Sequence, residues 1–203
     1  MQARAAILHS MGLERPYATS RPLVLADVEV APPGPGEVLL SMRAAGLCHS
    51  DLSVIDGNRP RRMPMVLGHE GAGVVEAVGP GVDDLAVGDH VVTTFVPACG
   101  VCAACDSGRP ALCDPALAAN LAGTLLSGAK RLRANGGDVH HHLGVSAFAT
   151  AATVARNSVV RIDRSLPFEH AAVFGCAVIT GVGAVVNTAA RSEEHTSELQ
   201  SPI

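Results

Sequence analysis

Cys48, His49, Ser50 and Asp51 place a thiol, an imidazole, a hydroxyl and a carboxylate in four consecutive residues between two apolar segments. Further along, Gly68-His69-Glu70-Gly71 offers another imidazole and Gly175-Cys176 another thiol. Thiolate and imidazole are ligands that zinc favours, and three protein ligands leave a fourth tetrahedral position open for chemistry. The residue types therefore point to a metal centre made by Cys48, His69 and Cys176. Asp51 would stand behind His69 and fix its tautomer.

A second constellation is more specific. Cys99, Cys102, Cys105 and Cys113 follow a C-x2-C-x2-C-x7-C pattern, and four thiolates on short loops can close a tetrahedral shell with no open position. Such a site stabilises rather than catalyses. Two other readings exist. Disulfides are disfavoured in a reducing compartment. An iron–sulfur cluster matches the first three spacings, but the fourth cysteine comes late and lacks an immediate proline.

These residues need elements to hold them. Ala5 to Leu8 is a short apolar run, Pro22 to Val30 reads as extended, and Ala31 to Gly36 is a proline- and glycine-rich turn. Glu37 to Ala45 predicts a strand leading into the Cys48 stretch, and Ser50 to Ile55 a short helix ending at Asp56-Gly57. Met65 to Val96 is strand-rich, with Val74-Val75 and Val91-Val92 as core strands and turns at Gly79-Pro80-Gly81 and Gly88-Asp89. Gly71-x-Gly73 lacks the following helix that a phosphate loop requires, so its glycines are expected at close strand crossings. Arg59, Arg61 and Arg62 are expected on a solvated loop, and Gly128 to Asp138 as an exposed basic loop. His140-His141-His142 has no partner at ligand spacing, so a solvated loop is expected there too. A strand from Leu143 onward enters the core. Phe168 should begin the apolar helix that delivers Cys176. Ala171 to Val186, sixteen residues, is shorter than the roughly 20 a bilayer crossing needs and is expected to be a buried helix.

The whole composition sets limits on these readings. The chain has 203 residues, 48% hydrophobic and 17% charged, enough for one domain with a real core. Its net charge of −4 and scattered basic residues give no nucleic-acid surface. Met1 to Pro16 holds no apolar run of signal-peptide length, so a cytoplasmic chain with reduced cysteines is expected.

Taken together, GLCHSD, GHEGAGVVEAVGPGV, GDHV, the four-cysteine lobe and GCAVITGVG resemble, in order and spacing, the catalytic domain of the zinc-dependent medium-chain alcohol dehydrogenases. The resemblance spans about residues 1 to 190. It implies a mainly β, GroES-like barrel with short helices and a structural-zinc lobe at about 97–115. It also implies NAD- or NADP-dependent interconversion of alcohols with aldehydes or ketones. Under it Cys48, His69 and Cys176 hold a catalytic zinc, and Cys99, Cys102, Cys105 and Cys113 a structural one. Glu70 matches a carboxylate that can approach the metal, and Ser50 the hydroxyl that takes the alcohol proton. His49 matches a basic residue facing the cofactor pyrophosphate, and Thr180 a threonine near the nicotinamide. Ser53 departs from the pattern, since many relatives have a proton-relaying histidine there. Each residue also has a plainer role open to it: Ser50 as a helix cap, His49 as a surface imidazole, Asp51 as a first-turn carboxylate.

In the resembled family a Rossmann domain follows the last helix. Here Gly181-x-Gly183 lacks a third glycine and a preceding strand. Residues 191–203 instead read RSEEHTSELQSPI, too polar to order themselves and similar to a translated sequencing-library adapter. The expectation is a fragment with an artefactual tail. Two functional classes follow. The chain is either the catalytic half of an alcohol dehydrogenase, inactive by itself, or a non-catalytic zinc-stabilised β-barrel module. Expected partners are a small alcohol or aldehyde, with no nucleic acid and no membrane. Intact relatives are homo-oligomeric, and apolar helix faces left uncovered would favour association.

Overall fold

Alternation of small or polar residues with apolar ones along β1 (Gln2–Leu8) buries Ala3, Ala5 and Ile7 on one face. In the computed structural model, which describes residues 1–95 and 97–189, this strand pairs antiparallel with β2 (Leu23–Val30). Together with β4 (Met65–Val66), β7 (Leu132–Ala134) and β8 (Gly137–His141) they close a barrel in the order β1-β2-β7-β8-β4. A second sheet of five strands runs in the order β10 (Val159–Arg161), β6 (His90–Thr93), β5 (Glu70–Val78), β3 (Glu37–Gly46) and β9 (Ala151–Ala155). Ile7, Val28, Val30, Val66 and Leu132 form one core, while Val38, Leu40, Val75, Val91 and Val154 form another. The helices are short: α1 (Tyr17–Ser20), α2 (His49–Ile55), α3 (Ala103–Asp106), α4 (Asp114–Ala122), α5 (Phe168–Ala171) and α6 (Ala177–Gly183). The fold is thus mainly β with short helices. Gly71 and Gly73 lie within β5, as their missing helix context implied.

Register explains how distant residues meet. β3 and β5 pair antiparallel with Gly46 opposite Glu70, so the residues just after one strand lie beside those just before the other. Cys48 and His69 are those residues. β4 and β8 pair in parallel, Met65 with His140 and Val66 with His141, so both chains leave the barrel in the same direction side by side. That carries His142 alongside the segment leading to His69. The two segments stay joined, because the Ala147 and Phe148 amides donate to the Gly68 and Leu67 carbonyls at 2.9 and 3.0 Å.

Several expectations from sequence are corrected here, among them the strand from Leu143, since Leu143 to Val145 form a turn and the strand begins only at Ala151. His140 to His142 is not a solvated loop: His141 is 0% and His142 1% exposed, because β8 is an interior barrel strand whose last residues turn inward. Gly128 to Asp138 is not one basic loop either, since it contains β7 and the start of β8, paired Leu132 with Val139. Nor is Ala171 to Val186 one buried helix. Ala171 and Ala172 are buried, but the path breaks at Cys176 and the arms Phe168–Gly175 and Ala177–Thr188 meet at 52°. Ile179, Val182, Val185 and Val186 on the second arm are exposed. Among the described residues no single helix is long and apolar enough to cross a membrane. Arg59 and Arg62 are exposed as expected, whereas Arg61 is half-buried. The segment 191–203, expected to be a tail, lies outside the described residues.

Candidate metal centre

Cys48 sits at the N-cap of α2, where the turn into the helix aims its sulfur back toward β5. Gly68 holds φ +88° just before His69, and an added Cβ there would come within 2.7 Å of the Phe148 nitrogen, so only glycine lets the chain swing His69 inward. At Gly175 a Cβ would collide with the Thr93 carbonyl oxygen. Its absence lets the 3-10 turn Ala172–Gly175 lie against β6 and present Cys176. The outcome is that ligand atoms of Cys48, His69, Glu70 and Cys176 all lie within 4.8 Å of one another. His69 and Glu70 are buried and the two cysteines partly so.

The electrostatics of this group suit a cation. Burial raises the Cys48 thiol, but contacts from Ser50 and His69 outweigh it and lower the net value. Cys176 is pushed up to about 12 by burial and by the neighbouring Cys48 and Glu70. Two sulfurs and a carboxylate this close repel one another when ionised, and a divalent ion between them removes that conflict. Two thiols and an imidazole are also the donor types of a catalytic zinc. The residues present therefore fit the group that the sequence implied.

Asp51 lies behind His69. Its carboxylate accepts the Gly68 amide at 3.0 Å and the Cys48 amide at 3.4 Å, and stands 3.3 Å from His69 Nδ1. Burial would raise its carboxyl, yet the contacts from His142 and His69 hold it well below the usual carboxylate range. His69 Nδ1 is thus turned to the carboxylate, leaving Nε2 for the sulfurs. The His69 ring also meets Phe95 and His142 edge to face, at centroid distances of 5.7 and 5.8 Å.

The remaining site residues divide. Ser50 is half-buried in the first turn of α2, where it helps to lower the Cys48 thiol. His49 is exposed, and the Ser53 hydroxyl donates to the His49 carbonyl at 3.0 Å, a helix-surface contact. Thr180 is exposed on the second turn of α6, its amide bonded to the Cys176 carbonyl at 2.9 Å. His142 was missed by sequence reasoning. No local pattern marks it, because its place depends on the parallel pairing of β4 with β8. An apolar cleft of about 590 Å³ is lined by Phe95, whose ring meets His69, by Leu112, Cys113 and Leu117 on the lobe side, and by Gly175 and Ile179 on either side of Cys176 in sequence.

In the lobe, the four sulfurs of Cys99, Cys102, Cys105 and Cys113 also lie within 4.8 Å of one another. Cys102 and Cys105 are 3.5 Å apart, too far for a disulfide, and all six cysteines are free thiols. The Cys105 amide lowers the Cys102 thiol to about 7, while burial and the neighbouring sulfurs raise Cys105 to about 11. Sulfurs on a tetrahedral zinc would stand about 3.8 Å apart. This spacing has room for one ion but not for a multi-iron cluster.

Comparison with known proteins bears on the fold and the family. A family profile described as the alcohol dehydrogenase GroES-like domain matches residues 34–164. The putative alcohol dehydrogenase D of Mycobacterium tuberculosis is 44% identical over 187 residues, 92% of this chain and 48% of that protein. Among solved structures, an alcohol dehydrogenase zinc-binding domain protein from Burkholderia ambifaria superposes with a TM-score of 0.84 at 40% identity, covering 94% of this chain and 50% of that one. Benzyl alcohol dehydrogenase from Acinetobacter calcoaceticus gives 0.80 at 35% identity, covering 92% and 48%. The chain thus spans about half the length of the relatives it matches. With the barrel, the two thiol-rich groups and these matches in agreement, the chain belongs to the zinc-dependent medium-chain alcohol dehydrogenase family, whose GroES-like catalytic domain it carries.

Proposed function

We propose that residues 1–190 form the catalytic domain of an oxidoreductase that interconverts alcohols with aldehydes or ketones using NAD or NADP. The observation that carries this reading is the meeting of Cys48, His69 and Cys176, far apart in sequence, around one small volume. A zinc ion bound there would act as a Lewis acid toward an alcohol or carbonyl oxygen. The chain's own residues do the rest. Asp51 orients the His69 ring, and the cleft shelters the substrate's apolar body from water. Ser50 is positioned two residues from Cys48 to take the alcohol's proton. Glu70 is the carboxylate that can approach the metal from the β5 side. His49 and Thr180, both exposed, are left for the nicotinamide cofactor, and the four lobe cysteines for a structural zinc. We further propose that the protein works in the cytoplasm on a small-molecule substrate, without nucleic acid or membrane.

Hydride transfer needs the nicotinamide fixed against the substrate. Among the described residues there is no doubly wound parallel sheet to hold it. The purified 203-residue chain should therefore bind two zinc ions yet show negligible alcohol oxidation with either cofactor. Joined to the part of the Mycobacterium tuberculosis relative that it does not match, residues 1–189 should gain cofactor-dependent alcohol oxidation that is lost on Cys48→Ser. A chimera that binds both metals and cofactor but oxidises no alcohol would favour a purely structural zinc module.

A further inference from the structure

The Asp51 carboxylate has two histidines on it. His142 Nδ1 lies 3.1 Å from Asp51 Oδ1, closer than His69 Nδ1, which is 3.3 Å from each oxygen. His142 is 1% exposed and Asp51 3%, so neither can exchange this contact for water. A carboxylate oxygen only accepts. Two lone pairs at that distance in a dry interior would repel, so Nδ1 of His142 must carry the proton. The approach is not aligned as a hydrogen bond, and among the described residues Nδ1 has no hydrogen-bond partner, Asp51 included. A buried polar atom left in that state calls for a reason.

The backbone around His142 is held independently of this contact. Its amide donates to Ser146 Oγ at 3.1 Å, its carbonyl accepts the Val145 amide at 3.0 Å, and Asn120 Oδ1 accepts the next amide at 3.3 Å. Leu143 and Ser146 take positive φ to make this tight turn. The ring is thereby fixed from the barrel side, while Asp51 belongs to α2 on the other. From these observations we infer that His142 is a positioning residue of the metal centre: its Nδ1–H anchors Asp51 Oδ1, and the anchored carboxylate fixes His69 with Nε2 toward Cys48 and Cys176. This inference rests on the reading of His69 as a metal ligand. It adds an outer partner behind the carboxylate, a position where such partners tune metal affinity about 10- to 100-fold.

Two substitutions separate donation from packing. His142→Phe keeps a ring against His69 but removes the donor. His142→Asn loses the ring but keeps an N–H near the Nδ1 position. Zinc affinity at each centre of the 203-residue chain is measured by chelator competition, with cobalt uptake followed by its thiolate absorption. The four-cysteine lobe serves as an internal control for folding. His142→Phe should weaken the Cys48 centre about 10- to 100-fold and alter its cobalt spectrum, leaving the lobe unchanged. His142→Asn should recover most of the loss. Unchanged affinity in His142→Phe, or equal losses in both variants, would overturn the inference while leaving the metal centre intact. A wild-type chain that binds metal only in its lobe would overturn both. Should His142→Phe fail to fold, nitrogen-15 NMR of the wild-type chain decides: a proton on His142 Nδ1 supports the anchor, and one on Nε2 alone refutes it.

Discussion

Glu37 shows how single residues support the site from outside it. Its buried carboxylate receives the Arg131 guanidinium at 2.8 Å, the Gly34 amide at 2.8 Å and the Ser127 hydroxyl at 2.6 Å, at the start of the strand that ends beside Cys48. Burial alone would raise its carboxyl, but these partners hold it below the ordinary value. A carboxyl depressed in the folded state adds stability above its unfolded value of about 4.3 and loses it as pH falls through the folded value. Glu37→Gln should therefore cost about 1.5–3 kcal/mol near pH 7 and much less near pH 3, read from urea unfolding. Equal losses at both pH values would refute this linkage. Gly175→Ala should also destabilise, by about 1–3 kcal/mol, because the new methyl meets the backbone of Thr93 rather than a movable side chain. It should weaken metal at Cys176 as well. An unchanged urea midpoint and zinc affinity would show that the close approach is not needed.

At the scale of elements, much of the site's support was legible in local sequence. The expected helix Ser50 to Ile55 is α2, and the expected strand Glu37 to Ala45 is β3, each within one residue. Alternation, caps and glycine turns are local signals, and these elements obey them. His141 and His142 were misread because three consecutive histidines look polar, while parallel pairing of His140 and His141 with Met65 and Val66, 75 positions earlier, carries His141 and the following His142 inward. The apolar segment after Cys176 misled in the opposite direction. Its composition reads as core, yet Val182 is 56% exposed, because the bend at Cys176 turns the second arm away from the sheet. An exposed row of Ile179, Val182, Val185 and Val186 favours self-association. Size-exclusion chromatography at rising concentration should show oligomers that Val182→Ser with Val186→Ser reduces, with zinc content unchanged. A concentration-independent monomer in the parent chain would contradict this.

For the whole molecule, the two thiol-rich groups share no ligand side chain, although Asn120 and the apolar cleft link the segment that follows the lobe cysteines to the other centre. Neither barrel nor sheet core contains a lobe cysteine. Loss of the lobe metal, through Cys99→Ser with Cys105→Ser, should speed hydrogen exchange between Cys99 and Ala122 while the strands stay protected. Global loss of protection would mean that the lobe holds the barrel together. The account as a whole depends most on the other centre, and zinc content per chain tests it directly. The parent chain should contain two zinc ions, and Cys176→Ser, with the lobe intact, about one. A parent chain holding a single zinc that Cys176→Ser does not remove would contradict a metal shared by Cys48, His69 and Cys176.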